Sequence, residues 1–274
     1  DTTRRWDSLV VVLGREDPAA ASSLVDRVRR LPNRPREQQA RLLLEDGLRL
    51  VQTDSANAAR RFYEVVSAGA TGEAAGRASL ELLRLNLRRV SQPQDLVALM
   101  EALKAMATRF ETVSGEITGL GRTIAKVHAA AAAVTPDSAQ GDLRLFLAAE
   151  TARDTLAAPG LAEGIFRRIP EQWPTSPYAP KAILAAQQLN PGWVDSARAL
   201  LEERYIDSPY LAIIRGDATA EYRALEDSLG AFAASFSRPP PSEIHRRPPA
   251  RRDAGEPARR PRPATGGSRV PEPQ

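Results

Sequence analysis

Residues 159–178 read PGLAEGIFRRIPEQWPTSPY, and residues 191–210 read PGWVDSARALLEERYIDSPY. The two segments share Pro-Gly at the start, an aromatic residue near the end and a final Ser-Pro-Tyr, always at an offset of 32 residues. The positions that define this repeat are Pro159, Gly160, Trp173, Ser176, Pro177 and Tyr178, matched by Pro191, Gly192, Tyr205, Ser208, Pro209 and Tyr210. An offset of this length is typical of helix-pair repeats, so the segments predict stacked pairs of α-helices.

Each part of the repeat has a physical role in such a helix pair. Pro-Gly predicts the tight turn between the two helices, and the aromatic residue marks the end of the second helix. The serine is a predicted N-cap, and the proline follows it where a missing N–H costs nothing. The tyrosine then lies in the first turn of the next helix and covers the junction. Pro170, inside the second helix of the first copy, is expected to kink or shorten that helix.

Helical periodicity extends towards the N-terminus. Asp17, Asp54 and Thr71 each precede an apolar stripe with helical spacing and are predicted N-caps. Two helical hairpins, at about 36–68 and 72–110, recur with a period of roughly 35 residues. Short connections between these helices predict antiparallel neighbours.

The middle of the chain gives weaker signals. The Gly-rich segment 114–121 is expected to be a loop or an irregular helix, followed by a helix over 124–134. Thr135 and Pro136 are expected to start the next helix, which runs to about Ala157. No segment alternates apolar and polar residues between turn signals, as a half-buried strand does. The chain is therefore predicted to be all-α.

The last helical stripe has two interpretations. Its residues follow spacings of 3, 4, 3 and 4 and are Tyr222, Leu225, Leu229, Phe232 and Phe236. We expect a helix that caps the preceding repeat, because a terminal repeat exposes an apolar face. A dimer seam is the alternative, since the spacing is that of a heptad.

Charge is distributed unevenly along the chain. The 274 residues carry 38 basic and 34 acidic side chains, a net charge of +4. Residues 237–274 hold nine arginines against four acids, a net charge of +5, which leaves −1 for the residues before them. The helical part is therefore not a basic platform for nucleic acid. With no cysteine, disulfides, Cys-ligated zinc and thiol catalysis are excluded.

Residues 237–274 also contain ten prolines, and such a segment cannot bury enough apolar surface to offset its ordering entropy. We expect a disordered tail that tethers, contacts anionic lipid or nucleic acid, or presents a polyproline-II ligand. The candidate contact residues are Arg251, Arg252, Arg259, Arg260 and Arg262. Three regions are predicted: helical hairpins over 1–113, repeats with a capping helix over 114–236, and the tail.

The segment WPTSPYAPKA (173–182) resembles the repeat junction of bacterial envelope tetratricopeptide proteins, in which an aromatic-Pro-x-Ser segment precedes an Ala-rich helix. These are the outer-membrane β-barrel assembly lipoproteins and the periplasmic cell-division coordinators associated with the Tol–Pal system. The resemblance covers about 142–214; Ile206 stands where the motif has proline, and no third copy follows. It implies an α-solenoid of antiparallel helix pairs that binds protein or peptide partners.

The sequence shows no recognisable catalytic motif in addition to the repeats. His128 lies on an Ala-rich helix and His245 in the tail, and neither belongs to a catalytic arrangement of carboxylate and nucleophile that the sequence shows. We expect a non-enzymatic scaffold without cofactor or metal, acting as a monomer or within a larger complex on an unidentified protein partner. The alternative is an electrostatic binder that acts through the tail. The start at Asp1 and the resemblance favour a removed export leader and a periplasmic or envelope location, with the cytoplasm as alternative.

Overall fold

The computed structural model describes residues 2–32, 34–69, 72–217 and 219–237, with side chains from residue 8 to residue 236. These residues form thirteen α-helices and no strand, so the all-α prediction is confirmed for them. The helices are α1 (Thr2–Glu16), α2 (Pro18–Val28), α3 (Arg36–Leu50), α4 (Ser55–Ser67), α5 (Glu73–Leu87), α6 (Asp95–Arg109), α7 (Ser114–Ala133), α8 (Gly141–Asp154), α9 (Pro159–Gln172), α10 (Tyr178–Leu189), α11 (Val194–Arg204), α12 (Pro209–Ile214) and α13 (Ala220–Ser237). None of the described helices is long and apolar enough to cross a bilayer.

Two of the predicted N-caps are confirmed. Asp17 Oδ1 accepts the backbone N–H of Ala20 at 2.9 Å, and Asp54 Oδ1 accepts that of Asn57 at 3.0 Å. Each carboxylate satisfies a donor that the first turn of a helix leaves without a partner. The third predicted cap, Thr71, lies outside the described residues, and α5 begins two residues after it.

The expectation of a loop or irregular helix at 114–121 is wrong. Helix α7 runs through it without a break, from Ser114 to Ala133. Ile117, Ile124 and Val127 bury one face of this helix, while a Cβ added at Gly115 would meet nothing within 4 Å. Packing on the buried face therefore outweighs the intrinsic cost of glycine in a helix, about 1 kcal/mol for each residue.

The helix start expected at Thr135 and Pro136 is also wrong. These residues belong to a turn in which Ser138 Oγ accepts the backbone N–H of Thr135 at 3.0 Å. The turn ends at Gln140, whose φ of 53° is left-handed, and α8 begins at the next residue. The hydroxyl of Ser138 thus closes a local turn around Thr135 and Pro136, and the chain enters a helix only after Gln140.

The helix pairs agree with the sequence prediction in one place and differ from it in another. The hairpin expected over 36–68 is present as α3 and α4, and α5 packs on both to complete a triplet. Helices α8, α9 and α10 form a second triplet of the same kind. The hairpin expected over 72–110 is wrong, because α6 pairs with α7 and touches α5 at few points. Helix α5 buries side chains on both sides, whereas only Leu96 and Leu103 are buried along α6.

One buried cluster of apolar side chains runs from Val10 in α1 to Leu229 in α13. A smaller cluster joins α10, α11 and α12 through Ile183, Leu201 and their neighbours. The described residues up to Ala234 form one compact unit. The division expected between 113 and 114 stays a prediction.

Candidate functional site

The two copies of the repeat end their second helices at equivalent positions. Helices α9 and α11 end at Gln172 and Arg204, and the following aromatic residues cap both. The backbone N–H of Trp173 reaches back into α9 at 2.8 Å, and that of Tyr205 reaches back into α11 at 2.9 Å. Pro170 therefore does not shorten α9 relative to α11, and the kink stays a prediction. Pro170 lies in the last turn, where only one helical hydrogen bond is lost.

The role predicted for Pro-Gly is wrong. Pro159 is the first residue of α9, and Pro191 is the first residue of a 3-10 turn that leads directly into α11. Both pairs therefore start the second helix, where a proline N–H is not needed. The turn before α9 is made instead by Ala157, with a φ of 51°. Gly160 allows close approach of another segment, since a Cβ there would lie 3.2 Å from the carbonyl oxygen of Val90.

The serines at both junctions accept a backbone N–H, as predicted for N-caps. Ser176 Oγ and Ser208 Oγ each bind the N–H two residues later, at 3.0 and 3.4 Å. Pro209 is the first residue of α12, whereas Pro177 occupies the cap position because α10 begins one residue later. Ser176 also donates to Asp142 Oδ2 of α8 at 2.5 Å. This serine therefore links α10 to α8 in addition to starting a helix.

Three helices place aromatic and charged side chains on a common surface. We define the aromatic face as Phe146 and Glu150 of α8, Tyr178 and Lys181 of α10, and Tyr210 of α12. The rings of Phe146 and Tyr178 lie 5.3 Å apart between centroids, and Lys181 Nζ lies 5.3 Å from the centroid of Phe146. Both tyrosines are buried. Tyr178 and Tyr210, which occupy equivalent positions in the two copies of the repeat, both belong to this face.

Helix α13 contacts the aromatic face through a carboxylate held at both oxygens. Glu226 Oε2 lies 2.7 Å from Lys181 Nζ, and Glu226 Oε1 accepts a hydrogen bond from the Tyr210 hydroxyl. One acidic side chain therefore joins α13 to both α10 and α12. Such charge-assisted bonds are about twice as strong as neutral ones.

A ring contact and a further hydrogen bond lie on either side of this carboxylate. The ring of Tyr222 meets that of Tyr210 edge to face at 5.4 Å, and the Tyr178 hydroxyl donates to the carbonyl of Leu229 at 3.4 Å. Leu229 is buried, but Phe232, three residues further along α13, is 48% exposed. The first half of the predicted seam, Tyr222, Leu225 and Leu229, therefore packs on the repeats.

Burial shapes the electrostatics of the aromatic face. It raises the pKa of Glu150, an effect that nearby Lys181 and Arg153 oppose. It also raises the pKa of Tyr210, with a further contribution from the hydrogen bond to Glu226. A phenol with a raised pKa stays protonated, so Tyr210 acts as a neutral hydrogen-bond donor to Glu226.

A second polar cluster lies between α2, α3 and α4, and the sequence analysis missed it. Arg61 Nε donates to Asp46 Oδ2 at 2.9 Å, and Arg61 Nη1 donates to Asp26 Oδ1 at 2.7 Å. Arg49 and Ser22 also bind Asp46. The hydrogen bond from Arg61 is the largest of the effects that lower the pKa of Asp26. Arg61 is paired with both carboxylates, which indicates a structural clamp between helices, while Arg49 Nε and Nη1 are buried without a hydrogen-bond partner.

Lys181 of the aromatic face and Glu226, which contacts it, were also missed, although each leaves a trace in the sequence. Lys181 is one of three lysines among 38 basic residues. Glu226 lies four residues after Tyr222 and three before Leu229, so a carboxylate interrupts an apolar helix face. His128 is half-buried on α7, and the described residues contain no group of three potential metal ligands. The five candidate arginines of the tail lie outside the described residues.

Comparison with models of known protein families gave no match, and neither did comparison with curated protein sequences. The resemblance to envelope tetratricopeptide proteins therefore stays a prediction. The function is argued below from the aromatic face.

Proposed function

We propose that this chain is a non-enzymatic scaffold that binds a protein partner on the aromatic face. One observation carries the proposal: this face already holds an amphipathic helix, α13, by two tyrosine hydroxyls and a lysine. Grooves that accept the apolar face of a helix are a recurring mode of peptide recognition. The same surface therefore has the chemistry to accept a helical segment of another protein.

The proposal extends to the architecture and the location. The helix pairs stack as a tetratricopeptide-like α-solenoid, in which α8, α10 and α12 line one side. The triplets α3–α4–α5 and α8–α9–α10 support this, because in each a helix pair is covered by the helix that follows it. The resemblance of 173–182 supports a place in the periplasm or cell envelope, where such a scaffold joins other proteins.

Site-specific photo-crosslinking in cells that express the full chain tests this function. Gln188 is exposed and lies seven residues after Lys181, on the same side of α10. A photoreactive residue at Gln188 should crosslink a discrete partner, and Lys181→Glu should abolish that crosslink. The matched control is a photoreactive residue at Arg41, exposed on α3. Equal crosslinking from both positions, or turnover of a substrate by the purified chain alone, would refute the proposal.

Salt separates the scaffold from the alternative in which the basic tail binds nucleic acid or anionic lipid. Binding through the tail should weaken steeply with salt, because counterions are released from each neutralised phosphate. Crosslinking through the aromatic face depends on one ion pair and several apolar contacts, so it should fall little over the same range.

A further inference from the structure

We infer that the partner of the aromatic face is an amphipathic α-helix with a glutamate at its centre, an aromatic residue four positions before it and an aliphatic residue three positions after it. Helix α13 carries this pattern and is the internal occupant that the partner helix replaces. The inference rests on the proposed function and names the class of partner.

The pattern follows from what the face offers. Lys181 and the Tyr210 hydroxyl converge on the two oxygens of one carboxylate. A glutamate fits this pair, whereas a lysine or arginine at that position would meet the Lys181 ammonium. Spacings of four and three residues place an aromatic and an aliphatic side chain on the same side of a helix as this glutamate.

Few contacts attach α13 to the aromatic face. Helix α13 approaches the repeats through side chains, without the extensive backbone approach that joins other helices of the described chain. The ion pair is also partly open to water, with Lys181 and Glu226 side chains 20 and 28% exposed. Of the seam residues in the contact, Tyr222 and Leu225 are half-buried and only Leu229 is buried. Such a contact can exchange without unfolding the helices beneath it.

The face also tolerates an exchange of occupants. Glu150 attracts Lys181 electrostatically. It lies on α8, so it stays in place when α13 moves away. When α13 leaves, Lys181 therefore keeps a carboxylate nearby until the next glutamate arrives. Tyr210 and Tyr178 keep their positions in the first turns of α12 and α10, which are set by the serine caps.

A labelled synthetic peptide of residues 219–237 is the probe, and its binding to the full chain is measured by fluorescence anisotropy. The wild-type chain should bind it weakly, because its own α13 occupies the face. The double variant Glu226→Ala with Leu229→Asp weakens the internal helix and should bind the peptide about tenfold or more tightly than wild type. The matched control, Asp227→Ala, changes an exposed acid of α13 and should bind as wild type does.

Charge reversal tests the centre of the pattern. Adding Lys181→Glu to the double variant should abolish binding of the wild-type peptide and permit binding of a peptide that carries Glu226→Lys. Rescue by the reversed peptide also shows that the Lys181→Glu chain is folded. The inference would be overturned if a double variant with unchanged circular dichroism bound no peptide. It would also be overturned if adding Lys181→Glu left the affinity for the wild-type peptide unchanged. Exchange of α13 between two copies, seen as a wild-type dimer in sedimentation, would also overturn it.

These results are distinguishable from failure of the proposed function. Peptide binding without any partner crosslinked from Gln188 would leave the chemistry of the face in place and remove the scaffold. A specific crosslink from Gln188 without peptide binding would leave the scaffold and remove the helical partner.

Discussion

Replacing Arg61 by alanine should lower the free energy of unfolding by about 3 kcal/mol, at the lower end of the range for breaking a buried ion pair. Arg61 and Asp46 are both almost wholly buried. Asp46 would keep Arg49 and Ser22 as partners, so its charge would not be stranded. Asp26, with a side chain 34% exposed, could turn to water. These two compensations place the expected cost near 3 kcal/mol.

Urea denaturation followed by far-UV circular dichroism measures this cost. With a slope on the order of 2 kcal/mol per molar urea, the midpoint should fall by roughly 1.5 M at unchanged slope. The matched control is Arg60→Ala, because Arg60 is the neighbouring residue of α4 and is exposed. A surface change of that kind stays within about 0.5 kcal/mol. Coincident curves for the two variants would show that the cluster does not clamp α2 to α3 and α4.

The pH dependence of the Arg61→Ala deficit has a definite sign. Arg61 lowers the pKa of Asp26 in the folded protein from its ordinary 3.8. The stability from this pair is therefore present above pH 3.8 and is lost as the pH falls through the lowered pKa. The deficit of the variant should shrink in acid, and a deficit that grew there would contradict the assignment.

Four further changes test the repeat junctions and the aromatic face. Ser176→Ala should cost about 1–3 kcal/mol in urea denaturation, because it removes both a cap and a bond to a carboxylate. Trp173→Ala should cost about 2 kcal/mol by the same assay, less than for a fully buried ring, since this ring is half-buried. Burial raises the pKa of Glu150, so Glu150→Gln should raise the melting temperature at neutral pH, and the gain should vanish below pH 4.5. Lys181→Ala should speed hydrogen exchange in α13 but not in α9. Equal protection of these two helices in the wild-type chain would contradict the weak attachment of α13.

Local chemistry is what the sequence predicts well. Caps such as Asp17 and Asp54, and the aromatic ends of α9 and α11, depend on residues within four positions of one another. Whether these helix ends form does not depend on which helices pack against them. The repeat offset also locates α9 to α12 correctly, since two copies of one pattern meet the same local constraints.

Tertiary packing decides where the sequence prediction failed. The glycines of 114–121 suggest a break, but they lie in a helix whose other face is buried. Helical periodicity over 72–110 shows two amphipathic helices and does not say which neighbour each one meets. Packing assigns α5 to α3 and α4, and α6 to α7. Such choices depend on the summed burial of several helices and cannot be read from one stripe.

The aromatic face shows the same division. Tyr178 and Tyr210 are evident from the repeat, because both follow Ser-Pro. Their polar partners are separated by much longer stretches of chain: Lys181 and Glu226 lie 45 residues apart. No local rule joins a lysine on one helix to a glutamate on a helix beyond the last repeat. The clamp around Arg61, which joins three helices, escaped prediction for the same reason.

The capping of the aromatic face by α13 and its proposed binding role have one physical origin. The last helix pair of a repeat array leaves an apolar face without a following repeat, and that face must be covered. Close backbone packing would cover it permanently, as between α9 and α10. Cover by α13 instead depends on ring contacts and on Glu226, whose two bonds join it to residues of α10 and α12. A cover that depends on so few side chains leaves the ion pair partly open to water, and under the proposed function it would yield to a helix that presents the same groups with greater affinity.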